Sequence, residues 1–285
     1  MKKKILMITL SNHTSFQDGV FSMYENLKGR YEVSTLTIAG SSYPVSQDKN
    51  NYFVDAPLRP GITKGTFNFK EIHRMMKIIR KVDFDTVYFE SFHIWNYPVI
   101  MYLKLHRIKY SHAINDVIPH EGDPHAKING MINGLTAKLA DRIILRSSDG
   151  LNNAEKRYPK YKNKLHKVDL WYSFPQYCPP KGNTILFFGR MNRYKGIDCL
   201  LELVKKTPDL QYVVAGKADD SVGDTVEELR KMPNVKFDEG VIPYDKMHDY
   251  FYNARCTILP YETATQSGVV LDAYKHSRPA VAFDV

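Results

Sequence analysis

The chain has 285 residues, 43% of them hydrophobic, and carries a formal net charge of +9 at pH 7. This length and apolar content exclude a disordered chain and favour two domains over one. The three cysteines are far apart in sequence, which excludes the paired spacings of a zinc site or a disulfide framework and fits a reducing cytoplasm.

The first half alternates between strand-like and helix-like segments. The opening "MKKKILMITL" has an apolar run of Ile5 to Leu10, too short for a signal peptide, and it predicts a buried strand. Further strands are predicted at "YEVSTLTI", "DTVYFE", "YSHAIN", "DRIILRS" and "KLHKVDL". Helices are predicted between them at "GVFSMYENLKG", "FKEIHRMMKIIRKV", "YPVIMYLKLHR" and "AKINGMINGLTAKLA". No segment reaches the roughly 18 apolar residues of a membrane-spanning helix.

Two of these helices have informative patterns. In "FKEIHRMMKIIRKV" one apolar stripe predicts packing on a sheet with a solvated basic side, and a membrane contact is the alternative. That stripe consists of Ile72, Met75, Met76, Ile79 and Val82. The helix "YPVIMYLKLHR" is apolar nearly all round, so we expect it to be buried.

A composition break at "SFPQYCPPKGN" divides the chain, because its prolines and Gly182 cannot sustain a regular element. Strand and helix patterns alternate again after it. We therefore predict an α/β protein with two Rossmann-like parallel-sheet domains, at residues 1–176 and 184–285, joined by a linker at 177–183. The last strand, in "PAVAFDV", has no helix after it to cover it, so we expect the second domain to be incomplete and the chain to be a fragment.

The positive charge belongs to the first half. Residues 1–178 contain 26 Lys and Arg against 16 Asp and Glu, whereas residues 179–285 contain 14 against 15. Such a field favours an anionic partner, either nucleic acid or an anionic membrane surface. A basic face that is merely solvated is the alternative.

Polar, glycine-containing junctions follow four strands of the second half, at "GRMNRYKG", "AGKADD", "EGVIP" and "TATQSG". In open α/β sheets the ligand lies beyond the carboxyl ends of the strands, so these junctions outline one site. Gly189 permits a turn, Arg190 offers a planar fork of donors and Lys195 adds a point charge. At "TATQSG", the start of the next helix predicts an anion bound by free backbone N–H groups, and a simple helix cap is the alternative. Its residues are Thr265, Gln266, Ser267 and Gly268.

The segments "ILFFGRMNRYKGIDCLLELV", "LQYVVAGK", "NVKFDEGVIPYDKMHDYF" and "CTILPYETATQSGVVLDAYKHSRPAVAFDV" resemble the donor-binding half of family 4 (group 1) glycosyltransferases of the GT-B architecture. The resemblance implies a nucleotide sugar, linked to uridine or guanosine diphosphate, on the second domain. Arg190 and Lys195 would hold its diphosphate, and Val241 and Ile242 lie where relatives meet the base. It also implies an acceptor on the first domain and no resident cofactor.

The same resemblance extends to two places in the first half. A glycine loop after the first strand matches "SFQDGVFSMYENL", where Gly19 would let backbone amides approach the donor phosphates. The stretch "NDVIPH" matches a family motif in which Asn115 replaces the usual first histidine. His120 is therefore the candidate for hydrogen bonding to the transferred sugar, and a local structural role is the alternative.

The paired glutamates of the family are altered in this chain. If Asp272 takes the second position, as an acceptor for ribose hydroxyls, the first position falls on Ala264, and Glu262 lies two residues too early. An Asp-x-Asp pair, Asp83 and Asp85, precedes a strand at its amino end, away from the ligand edge. We interpret that pair as structural and predict no metal site.

The expected activity is a retaining, metal-independent glycosyl transfer to a glycan or lipid-linked acceptor in cell-surface polysaccharide synthesis. The enzyme would be cytoplasmic, with the inner face of the cell membrane as a candidate peripheral location. One alternative is a non-catalytic fragment that binds nucleotide sugars. A nucleic-acid-binding protein, which a pI of about 9.2 allows, is disfavoured because no recognition helix, zinc module or aromatic RNA-binding signature accompanies the charge.

Overall fold

The structure is a computed structural model that describes residues 2–12, 14–39, 50–58, 61–118, 126–169, 177–264 and 267–285. The chain divides into two compact units, Met1–Tyr172 and Ser173–Val285, which we call the amino-terminal and carboxyl-terminal units. No helix among the described residues is long and apolar enough to cross a bilayer.

The described part of the amino-terminal unit contains a seven-stranded sheet in which all neighbours are parallel. Its strands are β1 (Lys4–Thr9), β2 (Glu32–Ile38), β3 (Asn51–Val54), β4 (Thr86–Phe89), β5 (Tyr110–Ala113), β6 (Arg142–Leu145) and β7 (Leu165–Lys167). They are ordered β3-β2-β1-β4-β5-β6-β7. The helices between them are α1 (Thr14–Leu27), α2 (Phe69–Lys81), α3 (Asn96–Leu105), α4 (Ala126–Leu139) and α5 (Ser148–Arg157).

The described part of the carboxyl-terminal unit contains a five-stranded parallel sheet of order β10-β9-β8-β11-β12. Its strands are β8 (Thr184–Phe188), β9 (Tyr212–Gly216), β10 (Val235–Glu239), β11 (Ala254–Leu259) and β12 (Ala280–Ala282). Its helices are α6 (Ile197–Lys206), α7 (Gly223–Lys231), α8 (Tyr244–Asn253) and α9 (Gly268–Lys275).

The two parallel sheets with crossover helices confirm the predicted α/β class of two Rossmann-like units. In each sheet the chain order reverses beside the first strand, between β1 and β4 in one and between β8 and β11 in the other. Such a reversal opens a crevice beyond the carboxyl ends of the strands. The fold therefore directs attention to the loops after β8, β9, β10 and β11.

The apolar stripe predicted for α2 is confirmed, with Met75 and Ile79 fully buried. The prediction that α3 is buried is wrong in part, because Met101 is 66% exposed and Leu105 is 80% exposed. One face of α3 packs on the sheet through Val99 and other apolar residues, so the helix needs only half of its apolar surface for the core.

Gly19 does not lie in a loop, because α1 begins at Thr14 and includes it. The glycine is buried, and a Cβ at this position would lie 3.3 Å from Oε1 of Glu90. The physical reason for a glycine here is the close approach of that carboxylate, which follows β4. The expected loop of amides around Gly19 is therefore wrong.

The Asp83 and Asp85 carboxylates have the structural role that their sequence position predicts. Asp85 accepts a hydrogen bond from the backbone N–H of Lys4 at 2.8 Å, and Asp83 forms an ion pair with the Lys4 ammonium. Both acids therefore fix the start of β1 at the edge of the sheet that lies away from the ligand side.

Candidate active site

The loops after β8, β9 and β10 lie side by side. The backbone N–H of Gly189 donates to the Ala215 carbonyl at 2.9 Å, and that of Gly240 donates to the Gly216 carbonyl at 2.9 Å. Gly216 has φ of +146°, and a Cβ there would overlap the Gly189 carbonyl oxygen. Glycine at this position lets the first two loops touch through their backbones.

The loop after β8 also packs against the loop after β11. Gly196 has φ of +69°, and a Cβ on it would overlap the carbonyl oxygen of Pro260. The backbone N–H of Glu262 donates to the carbonyl of Tyr194 at 2.9 Å. Residues that are distant in sequence are thus brought together beyond the ends of two adjacent strands.

Lys195 is the central cation of this site. Its side chain is half-buried, and Nζ lies 3.4 Å from the position that a Cβ on Gly189 would occupy, where φ is +110°. The same Nζ lies 5.1 Å from the centre of the Tyr261 ring, a cation–π contact. Burial, and after it the nearby Arg190 guanidinium, lowers the pKa of Lys195 to about 8. Among the described residues neither cation forms an ion pair with an acid, an arrangement that favours a bound anion.

Two buried hydroxyls, those of Tyr261 and Ser267, belong to the segment that follows β11 and contacts Lys195 through the Tyr261 ring. Neither Tyr261 Oη nor Ser267 Oγ makes a regular hydrogen bond to any described group, although the Ser267 hydroxyl is near enough to moderate the pKa of Tyr261. Burial raises that pKa to about 12. The Tyr261 side chain thus contacts both the Lys195 ammonium, through its ring, and the Ser267 hydroxyl.

Asp272 lies on the buried side of α9, with 4% of its surface exposed. Its charge contributes to the raised pKa of Tyr261, after burial and Tyr194, which places the carboxylate near that ring. Glu262 is exposed in the loop before α9. Of the two acidic candidates, the structure brings Asp272 to the Tyr261 side chain.

The remaining predicted residues divide into three groups. Gly268 is the first residue of α9, directly after Ser267. Val241 is 82% exposed and Ile242 is half-buried, both in the loop that follows β10. His120, Thr265 and Gln266 lie outside the described residues. Among the residues that the structure describes, no group of three or more His, Cys, Asp or Glu side chains could hold a metal ion.

Sequence analysis missed a buried ionic cluster at the ligand edge of the amino-terminal unit. Glu90 follows β4 and Arg146 follows β6, and the two form an ion pair that also includes the Tyr88 hydroxyl. Glu90 is 1% exposed and Arg146 is 5% exposed. Burial raises the pKa of Glu90 and that of Tyr88. A charged residue directly after an apolar strand, as in "VYFE" and "IILR", was the signal available in the sequence.

These observations define a two-unit α/β protein of the GT-B fold with a cationic site beyond the strands of its carboxyl-terminal sheet. Residues 182–285 match the family described as "Glycosyl transferases group 1". No curated protein matches the chain in sequence.

Solved structures of distant proteins share the fold over the whole chain. Sucrose-phosphate synthase from Thermosynechococcus elongatus is 14% identical with a TM-score of 0.69, over 100% of this chain and 82% of that one. HepE of Anabaena, in complex with UDP, is 12% identical with a TM-score of 0.65, over 99% and 80% of the two chains. A variant of S. aureus TarM, in complex with fondaparinux, alpha-GlcNAc-glycerol and UDP, is 12% identical with a TM-score of 0.65, over 100% and 86%. These matches confirm the fold, and the family match supports a glycosyltransferase function.

Proposed function

We propose that this protein is a retaining glycosyltransferase that transfers a sugar from a nucleotide sugar to a glycan or lipid-linked acceptor in cell-surface polysaccharide synthesis. The observation that carries the proposal is the pair of neighbouring cations, Arg190 and Lys195, with the Lys195 ammonium against the Tyr261 ring. The match of residues 182–285 to a glycosyltransferase family supports it.

The chemistry of this site suits a diphosphate. The lowered pKa of Lys195 shows that its charged form is disfavoured in the unliganded protein, so a bound anion would relieve that cost. Arg190 is exposed and has a planar fork of donors that matches phosphate oxygens. The amino end of α9, which begins at Gly268, adds partial positive charge from its first N–H groups.

The reaction follows from where charge develops. The bond between the anomeric carbon and the phosphate oxygen breaks, leaving an oxocarbenium-like sugar and a departing nucleoside diphosphate. Arg190 and Lys195 stabilise the negative charge that grows on that leaving group. The acceptor hydroxyl attacks the face from which the nucleotide departs, forms the new carbon–oxygen bond and gives its proton to the leaving phosphate. Retention by this route needs no carboxylate nucleophile, unlike the two-carboxylate arrangement of retaining glycosidases.

The nucleotide would extend along the same loops. Asp272 would accept hydrogen bonds from ribose hydroxyls, and Val241 with Ile242 would contact the base. HepE and TarM are described with UDP, which makes uridine the first base to test. The nucleotide sugar is a co-substrate in this scheme, and the proposal includes neither a metal nor a resident cofactor.

A thermal-shift series tests the proposal. UDP, GDP and their sugars are added to the full chain, to Arg190→Ala and to the matched control Arg193→Ala, which changes an exposed arginine in the same loop. We expect stabilisation by at least one nucleotide in the parent and the control, and most of it to be lost in Arg190→Ala. Equal shifts in all three proteins would contradict the site. Binding without sugar transfer to any acceptor would support the non-catalytic alternative.

A further inference from the structure

We propose that the segment 61–69 and the outer face of α2 form a surface that binds an anionic lipid bilayer. We call this the aromatic-basic surface, and it consists of Ile62, Phe67, Phe69, Lys70, Arg74, Lys77 and Lys81. The inference deepens the proposed function, on which it rests for its biological meaning, because it names the part of the chain that would reach a lipid-linked acceptor.

Three large apolar side chains of this surface are exposed. Ile62 is 75% exposed, Phe67 is 62% exposed and Phe69 is 72% exposed. The centres of the two phenylalanine rings are 6.5 Å apart. Clustered exposed apolar residues, unlike isolated ones, mark a surface that meets another molecule or a membrane.

The fold holds these side chains outward. Trp95 is 1% exposed, and its indole Nε1–H donates to the carbonyl of Thr66 at 2.9 Å. The Thr66 hydroxyl accepts from the backbone N–H of Thr63 at 2.8 Å and donates to the carbonyl of Gly61 at 3.2 Å. These bonds fix the backbone of Thr66, the residue that precedes Phe67, on the core.

A stripe of positive charge runs along α2 beyond the aromatic residues. Lys70, Arg74, Lys77 and Lys81 follow one another at intervals of four, three and four residues, which places them within an arc of about 60°. The buried side of α2 contains Met75 and lies opposite that arc. Of the five positive residues in the helix, Arg74 is paired with the helix's one acid, Glu71, at 3.2 Å.

Charge and ring geometry together favour a lipid surface as the occupant. The whole amino-terminal unit has 26 Lys and Arg against 16 Asp and Glu, so its field attracts an anionic layer. Phenylalanine and isoleucine side chains partition into the boundary between headgroups and acyl chains, while lysines contact the headgroups. The planes of the Phe67 and Phe69 rings are tilted by 49°, so the two rings do not form one flat stacking surface.

Co-sedimentation of the full chain with lipid vesicles tests this surface. Vesicles of phosphatidylcholine alone are compared with vesicles that also contain phosphatidylglycerol, at low and high salt. We expect binding to the anionic vesicles at low salt and its loss at high salt. Absence of binding to anionic vesicles at low salt would overturn the inference.

Two double variants locate the contact. Phe67→Ser with Phe69→Ser, and Lys70→Glu with Lys77→Glu, should each weaken partitioning by about tenfold or more. The controls, Phe283→Ser and Lys206→Glu, change an exposed aromatic residue and an exposed lysine of the carboxyl-terminal unit. Equal vesicle binding by all variants would contradict the inference, and so would loss of binding in the controls alone.

The same preparations separate this inference from the proposed function. All variants should keep the nucleotide-induced thermal shift of the parent, which also shows that they fold. A parent that binds vesicles but no nucleotide would contradict the proposed function and leave the surface intact. A parent that binds nucleotide but no vesicles would contradict the lipid-binding surface and leave the proposed function intact. Vesicle-independent capture of RNA that the phenylalanine variants abolish would instead assign the surface to nucleic acid.

Discussion

Gly196 lies so close to Pro260 that a side chain on the glycine would overlap the proline carbonyl oxygen. The glycine is also in the left-handed region, with φ of +69°. This contact sets the distance between the loop that contains Lys195 and the loop that contains Tyr261. The geometry of the proposed diphosphate site therefore depends on a backbone contact in addition to its charged side chains.

Gly196→Ala should lower the unfolding free energy of the carboxyl-terminal unit by roughly 2–4 kcal/mol, through backbone strain and the overlap with Pro260. It should also reduce nucleotide binding. Thermal denaturation with and without UDP measures both effects. Gly223→Ala is the matched control, because that glycine begins α7 with φ of −53° and has no atom within 4 Å of a Cβ. Equal melting temperatures for the two variants would contradict the role of the contact.

The affinity for UDP should fall as the pH rises past the pKa of Lys195, which is about 8 in the unliganded protein. A bound diphosphate favours the ammonium, so binding takes up a proton at high pH and weakens by about tenfold between pH 7 and pH 9. Titration calorimetry at both pH values measures this loss. Lys195→Arg keeps its charge over the whole range, so its affinity should change much less. If the affinity of Lys195→Arg for UDP falls with pH as steeply as that of the parent, Lys195 is not the group that contacts the diphosphate.

The Glu90–Arg146 ion pair should be costly to break on one side. Arg146→Met leaves the Glu90 carboxylate buried without its partner, and we expect a loss of about 3–5 kcal/mol in unfolding free energy. Adding Glu90→Leu should recover part of that loss, because no buried charge then remains. Urea denaturation of the parent, the single variant and the double variant measures the coupling. A double variant less stable than Arg146→Met would contradict this account.

Acid should destabilise the carboxyl-terminal unit through His276. Burial lowers the pKa of this histidine from 6.5 to about 4; the Asp272 carbonyl opposes the shift and the nearby positive groups add to it. The unfolded chain takes up the proton first, so the stabilising effect of the neutral ring is present above pH 6.5 and is lost as the pH falls towards 4. Urea midpoints at pH 7 and pH 5 measure the loss. His276→Asn should reduce this pH dependence, whereas the exposed His166→Asn should not.

The geometry around His276 explains why the neutral ring is preferred. Its Nδ1 lies 2.7 Å from the carbonyl oxygen of Asp272 and so carries the hydrogen, which leaves Nε2 to accept from Nδ1 of His248 at 2.5 Å. A second proton on His276 would place two N–H groups against each other. If His276→Asn keeps the full pH dependence of the parent, the proton is taken up elsewhere.

Much of the fold follows from local patterns. The apolar runs of β1, β2 and β4 and the stripe of α2 have the periods of a buried strand and of a helix packed on a sheet, and both are visible in the sequence. The loops that contain Arg190 and Ser267 are also visible, because small and polar residues interrupt apolar strands there. These features are local, so a single sequence suffices to predict them.

The features that were missed depend on short elements or on distant partners. Strand β3 has four residues, and α5 is largely polar, so neither has a clear hydrophobic period. The loop predicted at Gly19 is wrong because the reason for a glycine there is the approach of Glu90, which is far along the chain. The Glu90–Arg146 pair likewise depends on two strands becoming near neighbours in the sheet, which local patterns do not show.

The hydrogen bond from the Trp95 indole to the Thr66 carbonyl has a practical consequence for the protein away from lipid. The side chains of Phe67 and Phe69 beside it are 62% and 72% exposed, so in plain buffer they remain in water until they meet another molecule. We therefore expect the purified protein to lose monodispersity as its concentration rises. A mild detergent that coats the two rings should restore it.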